Sequence, residues 1–196
     1  MPEAKTTKTK YPFAFWVCGC TEIFERMAFY LGRSLILVFV AASVTTGGLG
    51  LSDITAAKMQ SNLTAFSYLL AILGGYLVDR WLPPRRTTPI GMLIVATGYF
   101  CGSIAHSAGM VYAMIFCVAF GLGLFKTGPM VGRIVRTEDL KSAYSIRYSL
   151  VNIGGLIGPL LAGVLYQQVF AHGDILGFRP CFRLASTRPL AATPRR

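Results

Sequence analysis

Charged residues are scarce in this chain of 196 residues, and acidic ones are the scarcest. Only 14% of the residues are charged, with 8 Asp and Glu against 19 Lys and Arg, whereas soluble domains carry about 25%. Hydrophobic residues make up 54% of the chain, and the mean hydropathy is +0.55. This balance excludes an ordinary soluble domain and predicts an all-α integral membrane protein.

The chain also lacks the residue clusters that catalytic and metal sites need. Its five Cys show no metal-ligand spacing, and Cys18 and Cys20 point apart on a helix. His106 and His172 have no partner of matching chemistry nearby in the sequence. A nucleophile elbow, a phosphate loop and an intramembrane Asp pair are all missing. We therefore expect no enzyme activity, no cofactor and no metal; a membrane-embedded enzyme is the weaker alternative.

Five apolar runs are long enough to cross a bilayer, which takes about 20 residues each. We predict transmembrane helices at the ranges 11–42, 54–78, 89–107, 110–131 and 143–170, after a basic tail over 1–10. Glycines within these runs, such as the pair Gly154 and Gly155, are expected to let helices approach closely.

Basic residues lie at alternate junctions between the apolar runs. The N-terminal tail and the loops after the second and fourth runs are basic, whereas 43–53 and the turn near His106 hold no Lys or Arg. The positive-inside rule then places the N-terminus in the cytoplasm of a multi-pass protein of the cell membrane. Because the net charge of +11 comes mostly from these loops, we expect no nucleic-acid partner.

Residues 171–196 break this pattern. They contain five Arg and one Asp but no apolar run of span length. Five spans from a cytoplasmic start would also put this basic tail outside the cell, against the positive-inside rule. We interpret the tail as a foreign ending, such as a frameshift or a broken gene; the alternative is an unusual extracytoplasmic extension.

One face of the first predicted helix is polar. At about 100° per residue, Glu22, Glu25, Arg26, Tyr30 and Arg33 share a side of that helix. Two carboxylates and a guanidinium inside a span cost several kcal/mol unless they pair with one another or face a wet cavity. The face therefore predicts the wall of a polar pathway; the alternative is structural ion pairs that hold helices together.

Four segments carry a resemblance to a known family. They are 22–33 (EIFERMAFYLGR), 74–82 (GGYLVDRWL), 121–126 (GLGLFK) and 143–154 (AYSIRYSLVNIG). In this order they resemble the proton-dependent oligopeptide transporters, a branch of the major facilitator superfamily. Family members have twelve helices in two six-helix halves. The resemblance implies a partial N-terminal six-helix bundle with about five transmembrane helices present.

The resemblance implies proton-coupled symport of di- and tripeptides. The partners would be the peptide, protons, the lipid bilayer and a separate C-terminal half, without which this truncated half would be inactive. The alternative is a non-transporting membrane fragment. The implied roles are proton coupling by Glu22, Glu25 and Arg26, substrate binding by Arg33, Lys126, Tyr30, Tyr68 and Asn152, and a cytoplasmic gate at Asp79 and Arg80.

The chain departs from the family pattern at a few positions. Pro83 and Pro84 replace a glycine and a basic residue, and Gly128 stands where the pattern has Asn. Arg147 replaces the first aromatic of the helix-five pair and puts a charge near the cytoplasmic end of that span. We expect these departures to bear on activity more than on descent.

Overall fold

The computed structural model describes residues 11–81, 84–125 and 128–191, and its fold is helical in all three ranges. The basic tail predicted over 1–10 lies outside these residues. The helices are α1 (Phe13–Ala41), α2 (Asp53–Trp81), α3 (Pro84–Ser103), α4 (Ala108–Leu124), α5 (Gly128–Ile134), α6 (Leu140–Val164) and α7 (Phe178–Ala191). A π-helical turn, Leu165–Val169, extends α6.

Local chemistry accounts for several helix ends. Pro84 begins α3, at a helix position where the missing N–H of proline costs nothing. The Ser107 hydroxyl caps α4 by accepting a hydrogen bond from the Met110 N–H at 3.5 Å. Between α1 and α2, Gly47 closes a short turn with a φ of 89°, a left-handed conformation that favours glycine.

The fourth predicted span is divided in the structure. We predicted one helix over 110–131, whereas α4 ends at Leu124 and α5 begins at Gly128. Helices α1, α2, α3 and α6 overlap the other four predicted ranges, whereas α7 lies in the tail, where no helix was predicted. Within the described residues, 137–169 is the stretch whose length and apolar composition meet the criteria for a membrane span, and α4 is a shorter apolar helix.

Glycines hold α6 against α1 in a parallel arrangement. A Cβ at Gly154 would lie 2.7 Å from the Ile23 carbonyl oxygen, and one at Gly158 would lie 2.7 Å from that of Met27. Both pairs have the same offset in residue number, so the two helices run in the same direction in a fixed register. Close backbone approach of this kind is the usual role of small residues in membrane bundles, as predicted from the sequence.

The tail contributes to the core. On α7, Phe178, Cys181, Phe182 and Ala185 are buried. The rings of Phe178 and Phe182 each lie 5.7 Å from that of Phe39 on α1. The interpretation of 171–196 as a foreign ending stays a prediction, but residues 178–191 form a helix that packs on the bundle.

The α1–α6 register predicts opposite effects for the same substitution at two glycines of one helix. Gly154→Ala should force α1 and α6 apart and cost about 1–3 kcal/mol of unfolding free energy, as overpacking does. Gly163→Ala should be neutral or slightly stabilising, because a Cβ there would contact nothing within 4 Å. The measurement is the thermal midpoint at which the buried thiols of Cys18 and Cys181 become reactive. Equal midpoints for the two variants would contradict the register.

Candidate functional site

Two carboxylates are buried one turn apart on α1. Glu22 is 3% exposed and Glu25 is 2% exposed. Because an ionised carboxylate without a partner is costly in an apolar interior, both groups need counter-charges or protons. The structure provides a guanidinium for each of them, from two different helices.

The first guanidinium comes from the next residue along α1. Arg26 Nε donates to Glu25 Oε2 at 2.6 Å, and the Arg26 guanidinium lies over the Phe29 ring, 5.7 Å from its centroid. The other oxygen of the carboxylate, Glu25 Oε1, is buried and accepts no hydrogen bond within the described part of the chain. Glu25 is therefore paired on one side and open to a further donor on the other.

The second guanidinium comes from α6. Arg147 Nη2 donates to Glu22 Oε1 at 2.5 Å, so an ion pair joins α1 and α6. By sequence, Arg147 is a departure from the family pattern, and its pairing with Glu22 was not predicted. A signal was available, since a basic residue inside an apolar span requires a counter-charge and the chain has few acidic residues to supply one.

The other predicted substrate-binding residues differ in burial. Tyr30 and Arg33 are half-buried on α1, whereas Tyr68 on α2 and Asn152 on α6 are exposed. The ring of Tyr30 lies against Gly155, and the carbonyl oxygen of Arg33 accepts a hydrogen bond from Gln60 Nε2 at 3.2 Å.

Two predicted residues cannot be placed relative to the site. Lys126 lies outside the described residues, as does the side chain of Asp79. Arg80 is exposed in the last turn of α2. The part of the site that the structure brings together is therefore Glu22, Glu25, Arg26 and Arg147, and we call it the α1–α6 charge cluster.

The cluster predicts that removing one guanidinium destabilises the bundle. Arg26→Ala should cost about 3–5 kcal/mol, because it leaves the buried Glu25 carboxylate without its cation. Arg33→Ala is the matched control, since Arg33 is half-buried on the same helix and forms no ion pair within the described residues. The stability of both variants is measured as the temperature midpoint at which the buried Cys18 and Cys181 thiols become reactive. Equal losses of stability would contradict the assignment of Arg26 as the cation of Glu25.

Comparison with known proteins matches most of the chain. Residues 26–185 match the family model of the Major Facilitator Superfamily, a range that ends within α7. The peptide transporter YePEPT of Yersinia enterocolitica is 35% identical over 176 residues, which cover 86% of this chain and 34% of that protein. A di-/tripeptide transporter of Lactococcus lactis is 31% identical over 183 residues, covering 89% of this chain and 36% of its own length.

Solved structures show the same relationship. The crystal structure of the peptide transporter POT in complex with sulfate matches with a TM-score of 0.84 and 25% identity, over 92% of this chain and 36% of that one. A POT family transporter in complex with 5-aminolevulinic acid matches with a TM-score of 0.82 and 26% identity, covering 92% of this chain and 37% of that chain.

The chain thus spans about a third of the length of the relatives that it matches. Its helices superimpose on those of POT structures, and its sequence matches a superfamily of transporters rather than enzymes. The chain belongs to the major facilitator superfamily, and it is a partial N-terminal bundle of that superfamily's peptide-transporter (POT) branch.

Proposed function

We propose that this chain supplies part of the N-terminal half of a proton-coupled transporter of di- and tripeptides in the cell membrane. The α1–α6 charge cluster carries the proposal, because buried ionisable groups within a membrane bundle mark ion and substrate pathways. The names of the relatives support peptides as the substrate class. We assign the N-terminus to the cytoplasm from the distribution of Lys and Arg.

Proton coupling is assigned to Glu22, Glu25 and Arg26. A buried carboxylate can be neutralised either by a guanidinium or by a proton. When a proton neutralises Glu25, Arg26 no longer has an anionic partner 2.6 Å away and is free to attract another anion. A proton and an anionic substrate would thus favour the same state of the cluster, which is the thermodynamic basis of symport.

Substrate binding is assigned to five further residues. Arg33 and Lys126 would bind the carboxylate end of the peptide, because a cation in a desolvated site is the natural partner of that group. Tyr30, Tyr68 and Asn152 would hydrogen-bond to the peptide backbone. Tyr68 and Asn152 are exposed. This exposure supports the proposal that they face a substrate cavity or a second half-bundle.

A cytoplasmic gate and a second half-bundle complete the proposal. Asp79 and Arg80 would contact neighbouring helix ends on the cytoplasmic side. Alternating access in this superfamily moves two half-bundles around a midplane site, so one half alone has nothing to move against. We infer that residues 1–196 need a separate C-terminal half for transport and do not transport by themselves.

A non-transporting membrane fragment is the second candidate. One observation favours it: Arg147 occupies Glu22 in an ion pair. The two candidates differ in whether a matching C-terminal half restores uptake.

The test is uptake of a labelled dipeptide into proteoliposomes under an inward proton gradient. Residues 1–196 alone should show no accumulation. The same residues assembled with the C-terminal half of the Yersinia enterocolitica relative should accumulate the peptide, and a protonophore should abolish this. In that assembly Lys126→Ala should lower dipeptide affinity about 10- to 100-fold, because a charged contact in a desolvated site contributes about 1.5–3 kcal/mol.

Lys141→Ala is the control. Lys141 is exposed on α6, so this substitution removes the same charge at a position away from the cluster. Accumulation by the chain alone would contradict the need for a second half. Unchanged affinity in Lys126→Ala would contradict the substrate assignment, and a folded assembly without uptake would favour the non-transporting fragment.

A further inference from the structure

Arg147 joins the α1–α6 charge cluster from a distant backbone position. The register set by Gly154 with Ile23 and by Gly158 with Met27 gives α6 and α1 a constant offset of 131 in residue number (154 − 23 and 158 − 27). Arg147 therefore lies level with Trp16 on α1. Its partner Glu22 is six residues further on, about 9 Å along the helix axis at 1.5 Å per residue.

This distance shows which way the Arg147 side chain runs. An arginine near the end of an apolar helix usually extends toward the interface, where water and headgroups solvate its charge. Arg147 instead extends along α6 away from the start of that helix at Leu140, so that Nη2 meets Glu22 Oε1 at 2.5 Å. Attraction to a carboxylate that is 3% exposed compensates for the lost solvation.

In the described part of the chain, few charged or titratable groups surround Glu22. On α1 the neighbours are Cys18, Glu25 and Arg26. Tyr99 of α3 faces Glu25 and Arg26, and Arg133 of α5 is exposed. The described charged residues of the other two helices packed on α1 lie toward helix ends or on the outer surface: Asp53, Lys58 and Arg80 on α2, and Arg179 and Arg183 on α7.

We propose that Arg147 is a positioning residue that serves as the fixed counter-charge of Glu22, binding α6 to α1 and keeping Glu22 a carboxylate. Guanidinium is always charged in proteins, so this partner cannot be neutralised by losing its proton. Glu25, which has one buried oxygen without a hydrogen-bond partner in the described residues, is then the carboxyl of the cluster left to exchange protons, which narrows the coupling role proposed above for Glu22, Glu25 and Arg26 to Glu25 and Arg26. The assignment of that exchange to coupling rests on the proposed function, whereas the Arg147–Glu22 pairing does not.

The experiment follows the carbonyl stretch of protonated carboxyl groups by infrared spectroscopy. The full chain in lipid vesicles is compared between about pH 5 and pH 8, where unperturbed carboxylates are ionised. Arg147→Gln should produce a protonated-carboxyl band that is absent from the parent chain, because Glu22 has lost its cation and takes up a proton instead. Adding Glu22→Gln to that variant should remove the new band.

Two single variants are matched controls. Lys141→Gln removes a charge from the exposed side of the same helix and should give no new band. Lys126→Gln tests whether Lys126, rather than Arg147, is the counter-charge of Glu22. The proposal would be overturned if Lys126→Gln produced a protonated-carboxyl band that Glu22→Gln removes, while Arg147→Gln produced none. A Glu22 band already present in the parent chain would also overturn it.

Folding is checked in each variant by the heat-induced exposure of the Cys18 and Cys181 thiols. If Arg147→Gln alone fails to fold, the double variant Glu22→Gln/Arg147→Gln should fold, since it removes both charges together. Failure of both would overturn the proposal. The infrared band is measured without transport, so it tests the Arg147–Glu22 pairing independently of the proposed function. A chain that supports no uptake with any C-terminal half would contradict the proposed function but not this pairing.

Discussion

Neutralising two buried carboxylates is the constraint on which the rest of the bundle depends. Glu22 and Glu25 lie one turn apart on α1, and each would be costly as a lone charge in an apolar interior. Arg26 neutralises Glu25 from the same helix, whereas Arg147 neutralises Glu22 from α6. The second pair ties the position of α6 to that of α1. Electrostatics and helix packing are therefore coupled at this interface.

The glycines of α6 make that coupling possible. Gly154 and Gly158 bring the α6 backbone against carbonyl oxygens of α1, and the resulting register sets how far Arg147 must reach. A larger residue at either position would move α6 outward and lengthen the reach to Glu22. Helix α1 also contacts α7, because Phe39 of α1 packs against two phenylalanines of α7. Thus α6 and α7 both pack against α1, as do α2 and α5.

The local features were predictable from the sequence, but the long-range ones were not. The polar face of α1 follows from helical spacing, and in the structure its carboxylates are buried, with Glu25 paired to Arg26 on the same helix. The partner of Glu22 is 125 residues away and depends on the register of two helices, which residue spacing within one helix cannot give. The packing of α7 was missed for a different reason. Its arginines lower the average hydropathy, although Phe178, Cys181, Phe182 and Ala185 follow the i, i+3, i+4, i+7 spacing of a buried helix face.

A double-mutant cycle between Glu22 and Arg147 tests the central claim most directly. The unfolding free energies of the full chain, Glu22→Gln, Arg147→Gln and the double variant would be measured in the same lipid. We expect the double variant to be at least about 1.5 kcal/mol more stable than the sum of the two single effects would make it, because each single change leaves the buried Glu22 or the half-buried Arg147 without its partner. Effects that add to within about 0.5 kcal/mol would show that the two residues act independently, and would contradict the account.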